Sequence, residues 1–508
     1  MSAARDDGSG AQRVKKRVHP ITIVESIYKQ LFLLLIPLLR GLLSVFTADS
    51  LSDWLYEWIG GAWMDILVLI FILSYSLLNW CFQFYTVDEH GLTVYKGILI
   101  KRQTAIPCFA MSTLMRHEPF YLRPFKAVHV YADTDAGSIR RADCQITVSR
   151  SAASMLAASP FPSKPAANQR LYRPKWYDIG ILSIFVSSTF TGAMFLVAFF
   201  GKGGDVFGRD FQDVFLNRLE GIARWLSFIP EAAALLAIVI FLCWLIGAVH
   251  SFLCYINFSA MREEKVLRIR YGWLSIRRYS LRTDAVNYLD LRQTIVARLL
   301  GLYIVFIQCA GYAKNKDEHA VLIPAANRKA AGRYLRLLLP EFRQRPRQIK
   351  PPPGSIVRYA MMPFWCSLLI PTAAWILSQW FADFRTLILF FGLMATLPFV
   401  WLLVVRIVDC STEGIAVSKH YITLYYAVGY AFHTVIVPRE KINYIRIRSS
   451  IFQKWSGNCD LLVYTYSEIG KRHRIGNLRI SEVRELLEKN GLLSPDDDLY
   501  SEEEAAAK

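Results

Sequence analysis

The sequence lacks the residue spacings that mark common catalytic and metal-binding sites. No H-E-x-x-H zinc motif, no G-x-S-x-G nucleophile turn and no Gly-rich phosphate loop occurs in its 508 residues. The nine cysteines are scattered and form no C-x-x-C pair, so we expect neither structural zinc nor disulfides. These absences argue against the motif-bearing enzyme classes. We expect a non-enzymatic protein that needs no cofactor.

Apolar residues, in contrast, are abundant and gathered in long runs. A helix needs roughly 20 mostly apolar residues to cross a bilayer core, because every backbone amide must be satisfied inside the segment. Six runs are long enough, and they form three pairs: 28–46 with 62–84, 179–200 with 229–256, and 359–381 with 386–408. The sequence therefore predicts an α-helical membrane protein with about six transmembrane helices.

Negative charge is scarce beside positive charge, and the positive charge is unevenly distributed. Of the 59 Lys and Arg residues, 52 lie in the four segments that six crossings place on one side of the membrane. The positive-inside rule assigns that side to the cytoplasm. We therefore expect a multi-pass protein of the bacterial inner membrane with both termini in the cytoplasm. Basic surface beside anionic lipid accounts for the net charge of +18, so no nucleic-acid partner is expected.

A β-rich segment follows each apolar pair, and the three segments are similar. Each has a glycine between two short alternating strands, at Gly97, Gly272 and Gly429. The segments align without a gap for about 25 positions from residues 106, 281 and 437 onward. Apolar residues coincide at the aligned positions Met111, Val286 and Ile442. The shared turn, the common register and the same place after a helix pair predict an internal repeat.

Each β-rich segment ends in a short helix-like stretch, at 151–158, 325–339 and 481–490. A repeated unit of helix pair and β domain divides the chain as follows: basic N-terminal segment 1–27, first pair 28–84, first domain 85–160, linker 161–178, second pair 179–256, second domain 257–340, basic proline-rich linker 341–358, third pair 359–408, third domain 409–492 and acidic tail 493–508. We expect the domains and both termini on the same side of the membrane.

The middle segment resembles the bacterial pleckstrin-homology (PH) domain membrane proteins of the YdbS/YdbT-like type. The resemblance rests on its Gly turn, the basic pair Arg277-Arg278 and the A-R-L-L-G-L segment 297–302. It implies three tandem units, each with a cytoplasmic seven-stranded PH-like barrel and a C-terminal helix. It also implies a non-enzymatic protein whose partners include other membrane proteins, among them a shorter single-unit member of the family. The lipid binding of eukaryotic PH domains is not carried over, because fold does not dictate ligand.

Basic residues near the Gly turns are the candidate contacts with anionic lipid or an acidic partner. They are Lys101, Arg102, Arg277 and Arg278. Arg298 is a further candidate, because all three segments carry a basic residue at its aligned position, Arg123, Arg298 and Lys454. Each such cation near a cytoplasmic leaflet contributes on the order of 1 kcal/mol, although a solvated strand face is the alternative interpretation. Arg40 lies inside the first apolar run, where a charge is costly, and we expect a polar helix–helix partner for it.

Three similar domains without a catalytic constellation favour a scaffold that presents cytoplasmic PH-like domains to protein partners and to the lipid bilayer. The alternative is a transporter or lipid-handling protein, which six helices and Arg40 would suit. A transporter would be expected to carry a polar stripe through several helices. The apolar runs contain only isolated charges, so the scaffold is the preferred interpretation.

Overall fold

The computed structural model describes most of the chain. The described residues are 15–34, 51–88, 91–98, 100–135, 142–158, 160–161, 170–187, 218, 221, 231–313, 319–466, 470 and 472–493. They belong to two compact units. Unit 1 comprises Met1–Ala167 with Leu274–Arg282, and unit 2 comprises Asn168–Trp273 with Thr283–Lys508.

The described residues contain eleven α-helices. In chain order they are α1 Thr22–Gln30, α2 Leu51–Cys81, α3 Arg150–Ala158, α4 Trp176–Val186, α5 Glu231–Tyr255, α6 Ile295–Leu299, α7 Arg328–Leu338, α8 Ile356–Trp380, α9 Arg385–Thr412, α10 Ile451–Trp455 and α11 Ile480–Lys489. The long helices α2, α5, α8 and α9 are apolar, whereas α7 and α11 are amphipathic and bury one face.

Three helical stretches of the described residues are long and apolar enough to cross a membrane: Ala237–Tyr255, Pro353–Trp380 and Ala382–Thr412. They coincide with the fourth, fifth and sixth predicted runs. The shorter apolar helices Ile66–Cys81 and Trp176–Val186 coincide with parts of the second and third. Most of the first run lies outside the described residues. These helices are consistent with membrane association, and the full set of six spans stays a prediction.

The last two long apolar helices, α8 and α9, form a hairpin with a close contact. A Cβ atom at Gly392 would lie 2.3 Å from the Cβ of Ala374, so the two small residues let the helix backbones approach each other. The large side chains Trp365, Trp375 and Trp401 are exposed. Exposed aromatic surface of this kind is costly in water and suits lipid.

Twenty strands occur in the described residues. They are β1 Lys16–Arg17, β2 Phe84–Asp88, β3 Gly91–Lys96, β4 Arg102–Pro107, β5 Met111–Glu118, β6 Ala127–Thr134, β7 Cys144–Ser149, β8 Arg170–Tyr172, β9 Ser259–Glu263, β10 Val266–Tyr271, β11 Ile276–Arg282, β12 Val286–Thr294, β13 Leu302–Cys309, β14 Val321–Asn327, β15 Gly414–Val417, β16 Tyr421–Val428, β17 Ala431–Pro438, β18 Ile442–Arg448, β19 Asn458–Thr465 and β20 Arg472–Arg479.

The strands pair antiparallel within each unit. Unit 1 holds the orders β1-β2-β3-β4 and β7-β6-β5-β11, and unit 2 holds β10-β9-β8, β14-β13-β12-β17-β16-β15 and β18-β19-β20. In the third β segment, β15–β17 and β18–β20 enclose one core with α11. This core includes Ile415, Leu424, Leu461, Ile475 and Leu487. The closed seven-stranded barrel that the resemblance implies stays a prediction.

The aligned positions of the three β segments have the same structural roles. Gly97, Gly272 and Gly429 each follow a strand and have positive φ angles of 113°, 101° and 60°, a conformation that glycine adopts without steric cost. Met111, Val286 and Ile442 each begin the next strand but one, β5, β12 and β18. The predicted repeat is therefore confirmed in these turns and strand starts.

The chain entering each helix pair contacts the first strand that follows the pair. Arg17 lies opposite Phe84, Tyr172 opposite Ala260, and Ile349 opposite Ile415. A helix hairpin returns the chain to the side from which it started, so the two ends can pair. The segments 161–178 and 341–358, which the sequence suggests are linkers, therefore contain ordered backbone. Contacts of one to three residues are too short to produce a readable alternation.

Neighbouring β segments pair through one strand each, and the register is the same at both contacts. Strand β11 of the middle segment pairs with β5 of the first, and β17 of the third pairs with β12 of the middle. Leu114 lies opposite Ser280, and Leu289 opposite Ile436. Leu114 and Leu289 are equivalent in the ungapped alignment. Ser280 and Ile436 are equivalent too, because each lies one residue before the alignment begins. We call these two pairings the strand junctions.

Candidate functional site

Unit 2 contains a basic cavity of about 470 Å³ beside the junction of β12 and β17. Five cationic side chains line it: Arg298, Arg328, Arg345, Arg347 and Lys350. The wall also includes the junction residues Gln293, Phe432 and His433. We call this the cationic cavity. Its volume lies in the usual range for small-ligand pockets, roughly 300–1,000 Å³.

Arg298 reaches the cavity from the short helix α6. The Thr294 hydroxyl caps that helix by accepting a hydrogen bond from the Ala297 backbone N–H at 3.2 Å. The Arg298 guanidinium lies over the Phe432 ring, 4.8 Å from its centre. Burial lowers the pKa of Arg298 from its usual value, and nearby Arg347 lowers it further. The cavity therefore holds cations close together, and a bound anion would reduce the repulsion between them.

The other side of the cavity is the basic segment that leads into α8. Arg347 donates a hydrogen bond to the Ser411 carbonyl at 2.7 Å, and the Tyr425 hydroxyl donates to the Arg345 carbonyl. The Ile349–Ile415 bridge holds this segment against β15. Gly414 is needed there, because a Cβ atom would lie 2.4 Å from the Ile349 carbonyl oxygen. The segment is thus fixed to the wall of the cavity.

Among the described residues, no salt bridge neutralises the five cations of the cavity. Within the part of the chain that the structure describes, none of them lies within 4.0 Å of a carboxylate oxygen. The neighbouring acid Asp409 pairs with Arg406 at 3.2 Å instead. Thr412 also lines the cavity and ends α9, while Lys350 precedes α8. The positive surface therefore lies at the ends of two candidate membrane helices.

A buried polar cluster supports the junction wall of the cavity. His433 Nδ1 lies 2.9 Å from Asp290 Oδ2, and the Arg292 Nε donates to the same oxygen at 2.6 Å. Tyr426 stacks on His433 and shares a 2.8 Å hydrogen bond with His473 Nδ1. Burial by itself would raise the pKa of Asp290, but His433 and Arg292 outweigh it and hold that pKa below its usual value. The Asp290 carboxylate is thus paired with His433 and Arg292 in the wall, so it does not compete with an anion for the five cavity cations.

A second buried carboxylate, Glu413, joins helix α8 to the third β segment. It accepts hydrogen bonds from the Tyr359 hydroxyl and from the Gly476 backbone N–H. Burial raises the pKa of Glu413 to about 8, and the nearby Asp409 carboxylate adds to this increase. The folded protein therefore favours the protonated form of Glu413 more than the unfolded chain does.

We expect Glu413→Gln to flatten the pH dependence of stability in unit 2. Between pH values of about 4.5 and 8 the folded state holds a proton that the unfolded state releases, so stability falls as pH rises through this window, by at most about 1.4 kcal/mol per pH unit. Glutamine does not ionise and keeps an acceptor oxygen. Thermal unfolding in detergent from pH 5 to pH 8.5 measures the effect. Glu482→Gln, at an exposed site, is the control, and equal pH slopes for the wild type and Glu413→Gln would contradict the assignment.

The predicted contact residues lie in different environments. Arg298 lines the cationic cavity of unit 2. Lys101 and Arg102 are exposed in unit 1, at the start of β4. Arg277 lies opposite His117 on β11 of unit 1, and Arg278 lies 3.6 Å from the Glu118 carboxylate. Arg40 lies outside the described residues. The roles predicted for these residues in binding stay predictions.

Sequence reasoning did not single out four of the five cavity cations: Arg328, Arg345, Arg347 and Lys350. Three of them belong to the basic segment 341–358, whose charge was visible in the sequence. Their convergence with Arg298 depends on the strand junction and on the Ile349–Ile415 bridge. Neither contact has a local sequence signal, so only the charge of the segment could have indicated the site.

Comparison with known proteins identifies the family. No curated protein matches the sequence. The family model of the bacterial PH domain matches residues 31–158 and 214–342, together just over half of the 508 residues. The two matched segments contain the first and middle β segments and the helices α2 and α5 that precede them. The bacterial PH domain family and a repeat of its domain are thereby confirmed, whereas the YdbS/YdbT-like type and the third unit stay predictions. The chain belongs to the bacterial PH domain family.

Proposed function

We propose that this protein is a non-enzymatic membrane scaffold that holds an anionic lipid headgroup in its cationic cavity and presents PH-like domains to protein partners. The cavity carries the proposal, because it gathers five cations beside the ends of two apolar helices. The family match supports a role in protein interaction or lipid binding. The proposed location is the cytoplasmic face of the bacterial inner membrane, with three YdbS/YdbT-like units and six membrane-spanning helices.

The third β segment supports a third unit, beyond the two segments that the family model matches. It has the same glycine turn and the same start of its fourth strand as the other two. It also ends in an amphipathic helix, α11, as the middle segment ends in α7. The strand junction between β12 and β17 repeats the register found between β5 and β11. These four likenesses fit duplication of one unit.

The chemistry of the cavity suits a phosphate ester. Guanidinium groups donate paired N–H bonds to phosphate oxygens, and such charge-assisted bonds are stronger than neutral ones. Arg298 and Arg345 lie on chain segments that approach the cavity separately, from α6 and from the segment before α8. A phosphate between them would relieve the repulsion between the cations. Because the cavity adjoins the candidate membrane helices, a lipid headgroup is the proposed source of that phosphate.

Binding of a soluble headgroup fragment tests this proposal. We expect the full-length protein in neutral detergent to bind glycerol 3-phosphate in isothermal titration calorimetry. Arg298→Glu with Arg345→Glu should weaken binding at least tenfold, about 1.4 kcal/mol or more, because two cations become anions. The difference should shrink at high salt, where exposed charges are screened.

Two exposed cations on α7 supply the matched control. Lys329→Glu with Arg333→Glu changes the net charge by the same amount, and neither residue lines the cavity. This control should keep affinity within about threefold of the wild type, less than 0.7 kcal/mol. Equal weakening of binding in both double variants would show that the effect comes from the net charge of the protein and not from the cavity. Absence of binding by the wild type would reject the cavity as an anion site.

A further inference from the structure

The two strand junctions show how one PH-like segment receives the next. In each, the third strand of one segment pairs with the fourth strand of the segment before it, β11 with β5 and β17 with β12. The register is the same although the side chains differ. At corresponding positions Met115 lies opposite Tyr279, and Asp290 opposite Val435. Backbone pairing therefore sets the contact, as in the addition of a strand to a sheet edge.

Among the described strands, one further third strand and one further fourth strand lie at the edges of their sheets. β4 is the third strand of the first segment and β18 is the fourth strand of the third segment. Among the described strands, β4 pairs with β3 alone and β18 with β19 alone. Residues 102–105 of β4 are exposed, whereas the corresponding part of β11 is half-buried or buried. β18 is half-buried or exposed, whereas β5 and β12 are mostly buried.

We propose that β18 of one chain pairs with β4 of a second copy of this chain, in the register of the strand junctions. Each copy carries one edge of each kind, and those edges correspond to the two sides of a contact that the chain already makes twice. The internal junctions thus serve as the template for the contact between copies. Such a head-to-tail contact is heterologous, so it continues into a ring or a linear array. This inference goes beyond the proposed function and does not require lipid in the cavity.

The shared register specifies which residues would meet. Ile445 would lie opposite Ala105, Arg446 opposite Thr104, and Arg448 opposite Arg102. Ile445 and Ile447 already contact the core of the third segment, so their side of β18 would continue that core toward the second copy. The opposite side carries Arg446 and Arg448, which are exposed.

One opposed pair makes this contact weaker than the internal junctions. Like charges directly opposite each other in a sheet are destabilising, and Arg448 would face Arg102. Each internal junction places a histidine and an arginine at the same position and has a buried carboxylate beside them, Glu118 paired with Arg278 at the first and Asp290 paired with His433 at the second. Ser449 and Arg446 stand at the corresponding positions of the third segment. Replacing Arg102 by Glu should therefore strengthen the contact.

Cysteine cross-linking between two differently tagged full-length chains tests the register. One chain carries Thr104→Cys and the other Arg446→Cys, co-expressed and oxidised in isolated membranes. Directly opposed residues of an antiparallel pair have Cα atoms about 4.5–5.5 Å apart, which suits a disulfide. We expect a disulfide-linked heterodimer, with a yield that rises at least twofold when Arg102→Glu is added to the Thr104→Cys chain.

The control shifts the register by one residue. Thr104→Cys paired with Ile445→Cys places the two thiols on opposite faces of the sheet, and should give at most one-fifth of the yield. Each variant paired with the wild type measures the background from native cysteines such as Cys108. Equal yields for the matched and shifted pairs, or no heterodimer above background, would overturn the proposal. The cavity variant Arg298→Glu with Arg345→Glu should cross-link normally, which separates failure of this contact from failure of anion binding.

Discussion

Replacing Asp460 by Ala should destabilise the third β segment by about 2–6 kcal/mol, since two buried donors lose their acceptor at about 1–3 kcal/mol each. Asp460 Oδ1 accepts from Gln453 Nε2 at 2.6 Å and from the Asn477 backbone N–H at 3.1 Å. Its other oxygen accepts two bonds from Arg474. Arg474 is mostly exposed and can turn to water, so the buried amides account for most of the effect.

Hydrogen exchange of the full-length protein, resolved by mass spectrometry, measures this loss locally. We expect faster exchange in β19 and β20 for Asp460→Ala, because Asp460 lies on β19 and its partners Asn477 and Arg474 lie on β20. Glu482→Ala is the control, since its pair with Arg479 is exposed and should change stability by less than about 1 kcal/mol. Similar exchange in the two variants would contradict the role assigned to Asp460.

Replacing Asp290 by Ala is the second large change, with an expected cost of about 3 kcal/mol at neutral pH, typical of removing one member of a buried ion pair. The buried carboxylate bonds His433 and Arg292 across the junction of β12 and β17. Its loss leaves His433 in the wall of the cavity without its acceptor. Exchange should increase in both junction strands, and glycerol 3-phosphate binding should weaken with it.

The effect of Asp290 should depend on pH in a defined direction. The folded protein holds the pKa of Asp290 below its usual value, so the folded state binds fewer protons than the unfolded state near pH 4. The stabilising contribution is present above the unfolded pKa of about 3.9 and is lost as pH falls through the folded pKa. The difference between the wild type and Asp290→Ala should therefore shrink as the pH falls below about 4. A difference that persists unchanged in acid would contradict the ion pair.

The repeat was readable from the sequence because it rests on local signals. Turns that need a positive φ select glycine, as at Gly97 and Gly272, and strand starts such as Met111 and Val286 place apolar residues at fixed intervals. Length and hydropathy likewise suffice for the helix α9 and its partner α8. Such signals lie within the element that they specify, so they predict it without knowledge of the tertiary contacts.

The candidate site was less readable because it depends on contacts between distant segments. Arg298 was identified because all three segments carry a basic residue at its aligned position. Arg345 and Arg347 were predicted only to be part of a basic linker. Their place in the cavity follows from the backbone bridge between Ile349 and Ile415. The strand junctions had no sequence signal either. Apolar and polar residues of β11 would alternate in the same way whether the strand paired within its own segment or with β5 of another.

Native mass spectrometry of the full-length protein, released from a mixture of phosphatidylglycerol and phosphatidylcholine, shows whether the cationic cavity holds an anionic headgroup. The cationic cavity should retain one anionic phospholipid in preference to the neutral one, and Arg298→Glu with Arg345→Glu should lose that adduct at least tenfold, about 1.4 kcal/mol. Lys329→Glu with Arg333→Glu should keep it. Equal retention of the two lipids by the wild type, or an unchanged anionic adduct in the cavity variant, would contradict a headgroup site at the strand junction.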